Sequence, residues 1–211
     1  MLAGDLMVLC IDGKTGRLRT NSTAIENALA GAVLVELVES GRVAFEPNGK
    51  KLAVADPTPL NDPVLHEALG RLTKPLRPQS AVERVRKRLW DNVIRQLQDH
   101  AVIRVERRRV LGIFPARSYP VVDEAGAEKL RKAVGEVVHG YRGADARTGS
   151  LITLLYAVNA VHKVFEGDKR EMKKRAKEIA RGNWAGDAVR RAVEAIQAGV
   201  TAAASAAASG E

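Results

Sequence analysis

A single cysteine, Cys10, in 211 residues leaves nothing for an intrachain disulfide. A disulfide-stapled secreted scaffold is excluded, and a reducing, cytoplasmic compartment is the expectation. Cys10 sits inside the apolar run Leu6–Ile11 and reads as a small buried hydrophobe, not a reactive thiol. Aromatic residues make up only 4% of the chain, so Leu, Val and Ala must carry the packing. No apolar run approaches the about 20 residues that a membrane-spanning helix needs. The opening Met-Leu-Ala-Gly-Asp lacks the basic start of a secretory leader. Any membrane contact is therefore expected to be peripheral.

Signs of catalysis are equally sparse. The histidines, His66, His100, His139 and His162, fall on different expected elements, and none has metal-ligand spacing with a second His or Cys. There is no Gly-x-Ser-x-Gly elbow. The Gly13 to Gly16 turn lacks the Gly-Lys-Ser/Thr ending of a phosphate loop. Carboxylates are scattered beside Lys and Arg, where ion pairing accounts for them. Neither an enzyme activity nor a metal or cofactor is expected.

What the chain has in quantity is positive charge. Lys and Arg number 34 against 25 Asp and Glu, a formal net charge of +9. Such an excess favours polyanions: nucleic acid, anionic lipid headgroups or an acidic protein. The length suits one domain, and 45% hydrophobic residues suffice for a sizeable core. The expected division is a domain over 1–201 and an Ala/Ser-rich tail over 202–211, which continues the last helix and then frays.

Patterning predicts a mainly α fold around a central apolar helix, with one or two β-hairpins. Residues 3–11 form a short apolar element. The helix 24–39 is apolar nearly all round, through Ile25, Leu29, Val33, Leu34, Val35, Leu37 and Val38, which places it in the middle of the fold. Ser22 or Thr23 caps it, with Glu26 in support, and Gly41 ends it. A strand pair, 42–46 and 51–55, turns at Asn48-Gly49. A helix over about 62–73 follows and is broken by Pro75 and Pro78. Residues 80–99 read as one helix with an apolar stripe at Val82, Val85, Leu89, Val93 and Leu97. Arg84, Lys87, Arg88, Asp91 and Arg95 lie together on its other side. Helices over 124–139, 147–165, 168–181 and from 185 onward complete the chain. The stretch from Lys169 to Lys177 is strongly basic, interspersed with Glu171 and Glu178.

The stretch 103–121 is the most informative. Two β-forming runs flank a turn region containing Gly112 and Pro115, with charged residues alternating at Arg104, Glu106 and Arg108 and an apolar group at Val110, Leu111, Ile113 and Phe114. This is a hairpin with a basic stem and a greasy tip. Exposed apolar surface needs a partner, and a membrane surface satisfies both the apolar tip and the arginines.

Together these segments resemble the Golgi phosphoprotein 3 family, in particular its shorter bacterial relatives, over nearly the full length. Asp5-Leu6-Met7-Val8-Leu9 before Thr15-Gly16-Arg17-Leu18 is similar to the family's first helix and turn. Ala28 to Leu37 followed by Gly41-Arg42-Val43 resembles its central helix. Pro57-Thr58 with Asp62 to Leu69 resembles its Pro-Thr-Gly-Asp-type motif, two residues longer. Glu106–Pro120 resembles its projecting hairpin, and Leu151–Ala160 its buried late helix.

The resemblance implies a single mostly helical domain, no catalytic activity, and peripheral membrane binding through phosphatidylinositol 4-phosphate. It also implies a headgroup pocket built from a tryptophan and an arginine around the central helix and two arginines on the helix before the hairpin. Here Asn21 stands at the tryptophan position and Ala30 at the first arginine. Lys87 and Trp90 fall near the other two, with Arg84 and Arg88 as neighbours. Half of that pocket is missing, while general attraction to anionic lipid needs only clustered cations.

The expectation is a peripheral adaptor on the cytoplasmic face of a membrane. Arg17, Arg84, Lys87, Arg88 and Trp90 would meet anionic headgroups, a phosphatidylinositol phosphate included, and Leu111, Ile113 and Phe114 would enter the interface. The competing expectation is a winged-helix DNA-binding protein, since a basic helix followed by a basic hairpin suits both. Against it, the helix lacks exposed Asn, Gln, Ser and Thr for reading bases. Self-association through the 103–121 hairpin is compatible with the first expectation.

Overall fold

The computed structural model describes residues 1–110, 114–182 and 187–209, without the side chains of 108–116, 183–192 and 208–211. Its architecture is mainly α, a single set of helices wrapped around one central helix, with two small antiparallel hairpins.

Helix α1 (Leu2–Cys10) is apolar and buried along almost its whole length. Helix α2 (Ser22–Glu39) is the central helix, and Ile25, Leu29, Val33, Leu34 and Leu37 are fully buried on every side of it. The residue that caps α2 is Asn21, not Ser22 or Thr23: its Oδ1 accepts the Ala24 N–H at 2.7 Å. The cap falls one residue early because Asn21 holds the extended backbone that the cap position requires. At the far end Gly41, at φ 71°, closes the helix as expected. The two helices run antiparallel. The Leu2 N–H donates to the Glu36 carboxylate at 2.9 Å, so a side chain of α2 satisfies the positive end of α1. Burial holds the Glu36 carboxyl above its usual range.

Strands β1 (Val43–Phe45) and β2 (Leu52–Val54) form the first hairpin, with Val43 opposite Val54. Helix α3 (Pro63–Arg71) is capped by Asp62, whose Oδ1 accepts the N–H groups of Val64 and Leu65.

Two expected helices are each divided. Residues 80–99 form α4 (Pro78–Arg86) and α5 (Leu89–Asp99), with Arg88 left-handed at φ 58° between them. Pro78 does not break a helix but opens α4, where its missing N–H has no partner to lose. The apolar stripe continues across the break, and Val82, Val85, Leu89, Val93 and Leu97 are all buried.

Strands β3 (Glu106–Val110) and β4 (Phe114–Ser118) make the second hairpin. Pro115 lies within β4 opposite Arg109, which a two-stranded ribbon tolerates because each strand has an unpaired edge. After α6 (Glu124–Val138), the expected 147–165 helix divides into α7 (Ala146–Ala157) and α8 (Val161–Val164), with Asn159 left-handed at φ 52°. Helices α9 (Lys169–Ala180) and α10 (Asp187–Ser209) complete the chain.

Helices α1, α4, α7 and α10 enclose α2. The helices approach closely at Gly31, where a Cβ would stand 2.7 Å from both Leu154 Cδ2 on α7 and Val200 Cγ2 on α10. Gly31→Ala should therefore destabilise by about 1–3 kcal/mol, as overpacking does. Gly70→Ala on α3 meets open space and should stabilise by about 0.5–1 kcal/mol. Urea unfolding of the two variants checks the opposite signs.

Burial also pushes the Cys10 thiol up to about 12. Ellman's reagent at neutral pH should leave it unlabelled in the native chain and label it fully in denaturant. Rapid native labelling would show that α1 opens.

Candidate functional site

The arginines of the second hairpin face each other. Arg107 is the cross-strand partner of Arg117, and both are exposed. Like charges directly opposite in an antiparallel pair repel, at a cost of about 0.2–1 kcal/mol. Asp91 on α5 reaches the Arg117 guanidinium at 3.9 Å, with both side chains more than half exposed. Such a contact contributes little, so the stem presents two neighbouring cations with spare hydrogen-bonding capacity.

The base of the hairpin is anchored by a small polar and aromatic cluster. Tyr119 is buried, and the Trp90 ring meets it edge-on at 6.0 Å and 70°. The Tyr119 N–H donates to the Gly16 carbonyl at 2.7 Å. Gly16 has φ +66°, and a Cβ there would lie 2.9 Å from the Pro120 nitrogen, so both conformation and space require glycine. The turn is held from inside by Asp12, whose Oδ1 accepts the N–H and hydroxyl of Thr15. Those bonds hold the Asp12 carboxyl below the usual range. Arg17, the next residue after Gly16, is thereby fixed beside the hairpin base and is exposed.

The expected site residues divide accordingly. Arg17 and Trp90 come together at the hairpin base. Lys87 and Arg88 are exposed at the α4–α5 elbow, two to three residues before Trp90. Arg84 is exposed on α4. The single face expected for Arg84, Lys87, Arg88, Asp91 and Arg95 does not exist, because the left-handed turn at Arg88 reorients α5 relative to α4. Leu111 and Ile113 lie outside the described residues. Phe114 opens β4 opposite Val110, and its side chain lies outside the description.

The two departures at the central helix occupy different settings. Ala30 is fully buried. Asn21 is exposed and lines a recess of about 410 Å³ together with Thr23, Asn159, Thr201 and Ser205; no charged residue is among its described lining. A headgroup phosphate entering there would find polar groups but no cation. Sequence reasoning missed Arg117 and Tyr119 as members of the site. Pairing the strands symmetrically about Gly112 would have set Arg107 against Arg117 and identified the first.

The family model described as Golgi phosphoprotein 3 (GPP34) matches residues 2–196 of this chain. The match spans α1 and α2, both hairpins and the first part of α10.

The elbow supplies its own check. A left-handed residue with a side chain costs about 1 kcal/mol or more relative to glycine. Arg88→Gly and Arg88→Ala both remove the charge, but the glycine variant should be the more stable by about 1 kcal/mol in urea unfolding. Equal stability, or a more stable alanine variant, would mean that α4 and α5 run on as one helix.

Proposed function

We propose that this chain, which belongs to the Golgi phosphoprotein 3 family, is a peripheral membrane-binding adaptor that recognises anionic lipid headgroups, phosphatidylinositol phosphates among them. The observation that carries this reading is the exposed cross-strand Arg107–Arg117 pair on a hairpin anchored beside Arg17 and Trp90. A phosphate group accepting from both guanidiniums would turn their repulsion into two charge-assisted hydrogen bonds. Arg17, Lys87 and Arg88 add cations near the same edge, and each Lys or Arg close to an anionic bilayer contributes about 1 kcal/mol. Leu111, Ile113 and Phe114 at the tip would enter the interface, which adds the apolar part of reversible attachment. No described helix is long and apolar enough to cross a membrane; the attachment proposed is peripheral, on the cytoplasmic face.

The winged-helix alternative is weakened by the helix break. The helix directly before the hairpin, α5, carries one cation, Arg95, against two carboxylates, Asp91 and Asp99. A recognition helix of that charge would repel phosphate. The uncharged recess at Asn21 and the buried Ala30 favour binding governed by headgroup charge more than by stereochemistry.

Flotation with vesicles tests the reading. The chain should bind phosphatidylcholine vesicles only when they carry anionic lipid, and binding should fall steeply as ionic strength rises from about 0.05 to about 0.5 M. Phosphatidylserine and phosphatidylinositol phosphate at equal surface charge should recruit it to similar extents. Equal binding to uncharged vesicles would overturn the electrostatic basis.

A further inference from the structure

A second cationic surface lies on α8 and α9, where the linear sequence shows only a mixture of charges. At about 100° per residue, Lys169, Arg170, Lys173, Lys174, Lys177 and Arg181 fall within about 140° of arc. The buried stripe of Met172, Ala176 and Ile179 borders this arc. Glu171 and Glu178 fall on the other flank, where Arg175 pairs with Glu178 at 3.7 Å. One flank of α9 is therefore free of its own carboxylates. The six cations on it are exposed, and among the described residues none makes an ion pair. Lys169, Lys173 and Lys177 are also successive i, i+4 neighbours of like charge, an arrangement that weakens a helix unless something outside it supplies the counter-charge.

Helix α8 extends the patch. Lys163 is exposed, and its ammonium donates to Thr20 Oγ1 at 3.0 Å. His162 and Lys173 line one shallow recess beside Asn159. Burial, and then the ammoniums of Lys169, Lys163 and Lys173, push the His162 imidazole below its usual range. The charges acting on it are all positive.

We propose that this α8–α9 flank is a second membrane-contact surface, engaging the phosphates of anionic bilayer headgroups alongside the hairpin stem. It rests on the membrane reading above. A bilayer is favoured over nucleic acid on two grounds. The patch is tied, through the Lys163–Thr20 hydrogen bond, to the chain segment that carries Arg17 three residues earlier. The exposed arc of α9 itself, from Lys169 to Arg181, also carries only Lys and Arg, with no aromatic ring for stacking and no amide or hydroxyl for base edges.

The experiment compares two full-length variants with the same net charge. Lys169→Gln/Lys173→Gln/Lys177→Gln empties the α9 flank. Lys50→Gln/Lys51→Gln/Lys74→Gln removes three exposed lysines near β2, at the opposite end of α2. Partition onto phosphatidylcholine vesicles containing phosphatidylserine should fall about fivefold per residue for the α9 variant, about a hundredfold in all. The β2-side variant should lose far less. Thermal unfolding should show the α9 variant as stable as the parent or more so, since like-charge repulsion is relieved. An α9 variant that partitions like the parent would end this proposal and leave the membrane reading standing. Equal losses in both variants would reduce it to net charge. A parent chain that binds no anionic vesicle would remove both readings. A duplex-DNA shift lost only in the α9 variant, with vesicle binding intact, would assign the flank to nucleic acid.

Discussion

Helix α2 has no outward face over most of its length, and an apolar cylinder of this kind must be enclosed. Burying it takes α1, α4, α7 and α10 together, and the enclosure closes tightly only because Gly31 lets Leu154 and Val200 approach the backbone. The remaining layout follows. The ends of α2 mark opposite ends of the fold: Asn21 and Thr20 next to α8 at one, Glu36 and the β1–β2 hairpin at the other. The β3–β4 hairpin, by contrast, is held chiefly by the pairing of its own two strands.

With the interior given over to aliphatic side chains, the excess cations have only the surface to occupy. They are not spread evenly. One group gathers at the hairpin stem, the Arg17 turn and the α4–α5 elbow; another gathers on α8 and α9. Many of the carboxylates are committed elsewhere. Asp62, Asp123 and Asp168 each cap a helix by accepting backbone N–H groups, so they stabilise helix starts rather than neutralise Lys and Arg; Asp145 caps α7 and also pairs with Arg142. That division of labour leaves a moderate formal excess of charge concentrated as local positive potential.

The central helix, the first hairpin and the second hairpin were legible from sequence because each rests on a local signal: all-round apolarity over Ile25 to Leu37, Asn48-Gly49, and β-branched residues on both sides of Gly112. The breaks at Arg88 and Asn159 were not. Neither carries glycine or proline, and the buried stripe from Val82 to Leu97 keeps its spacing across the first of them, so periodicity alone sees one helix. Tertiary packing overrides propensity at Arg88, which it holds in a left-handed conformation, whereas Asn159 is a residue type that tolerates it. Half of the candidate site was hidden for a related reason. Arg84, Lys87 and Arg88 could be named as basic residues, but their directions depend on that elbow. Tyr119 has no signal of its own, since its role comes from the contacts with Trp90 and Gly16 across long sequence separations. The carboxylate-free flank of α9 was present in the sequence as a 100° periodicity, concealed when Glu171 and Glu178 are read along the line of the chain.

The Arg107–Arg117 pairing has a consequence for how ions act on this molecule. Dissolved salt screens the repulsion between the two guanidiniums and so firms the stem, while it also screens attraction to any charged surface and so loosens attachment. The same ions thus act in opposite senses on the order of the ribbon and on its adhesion. A bound anion differs from a dissolved one in bridging both strands at once. On the proposed function, the stem would be least ordered in dilute salt with no anion bound, and part of the free energy of attachment would go into setting its register.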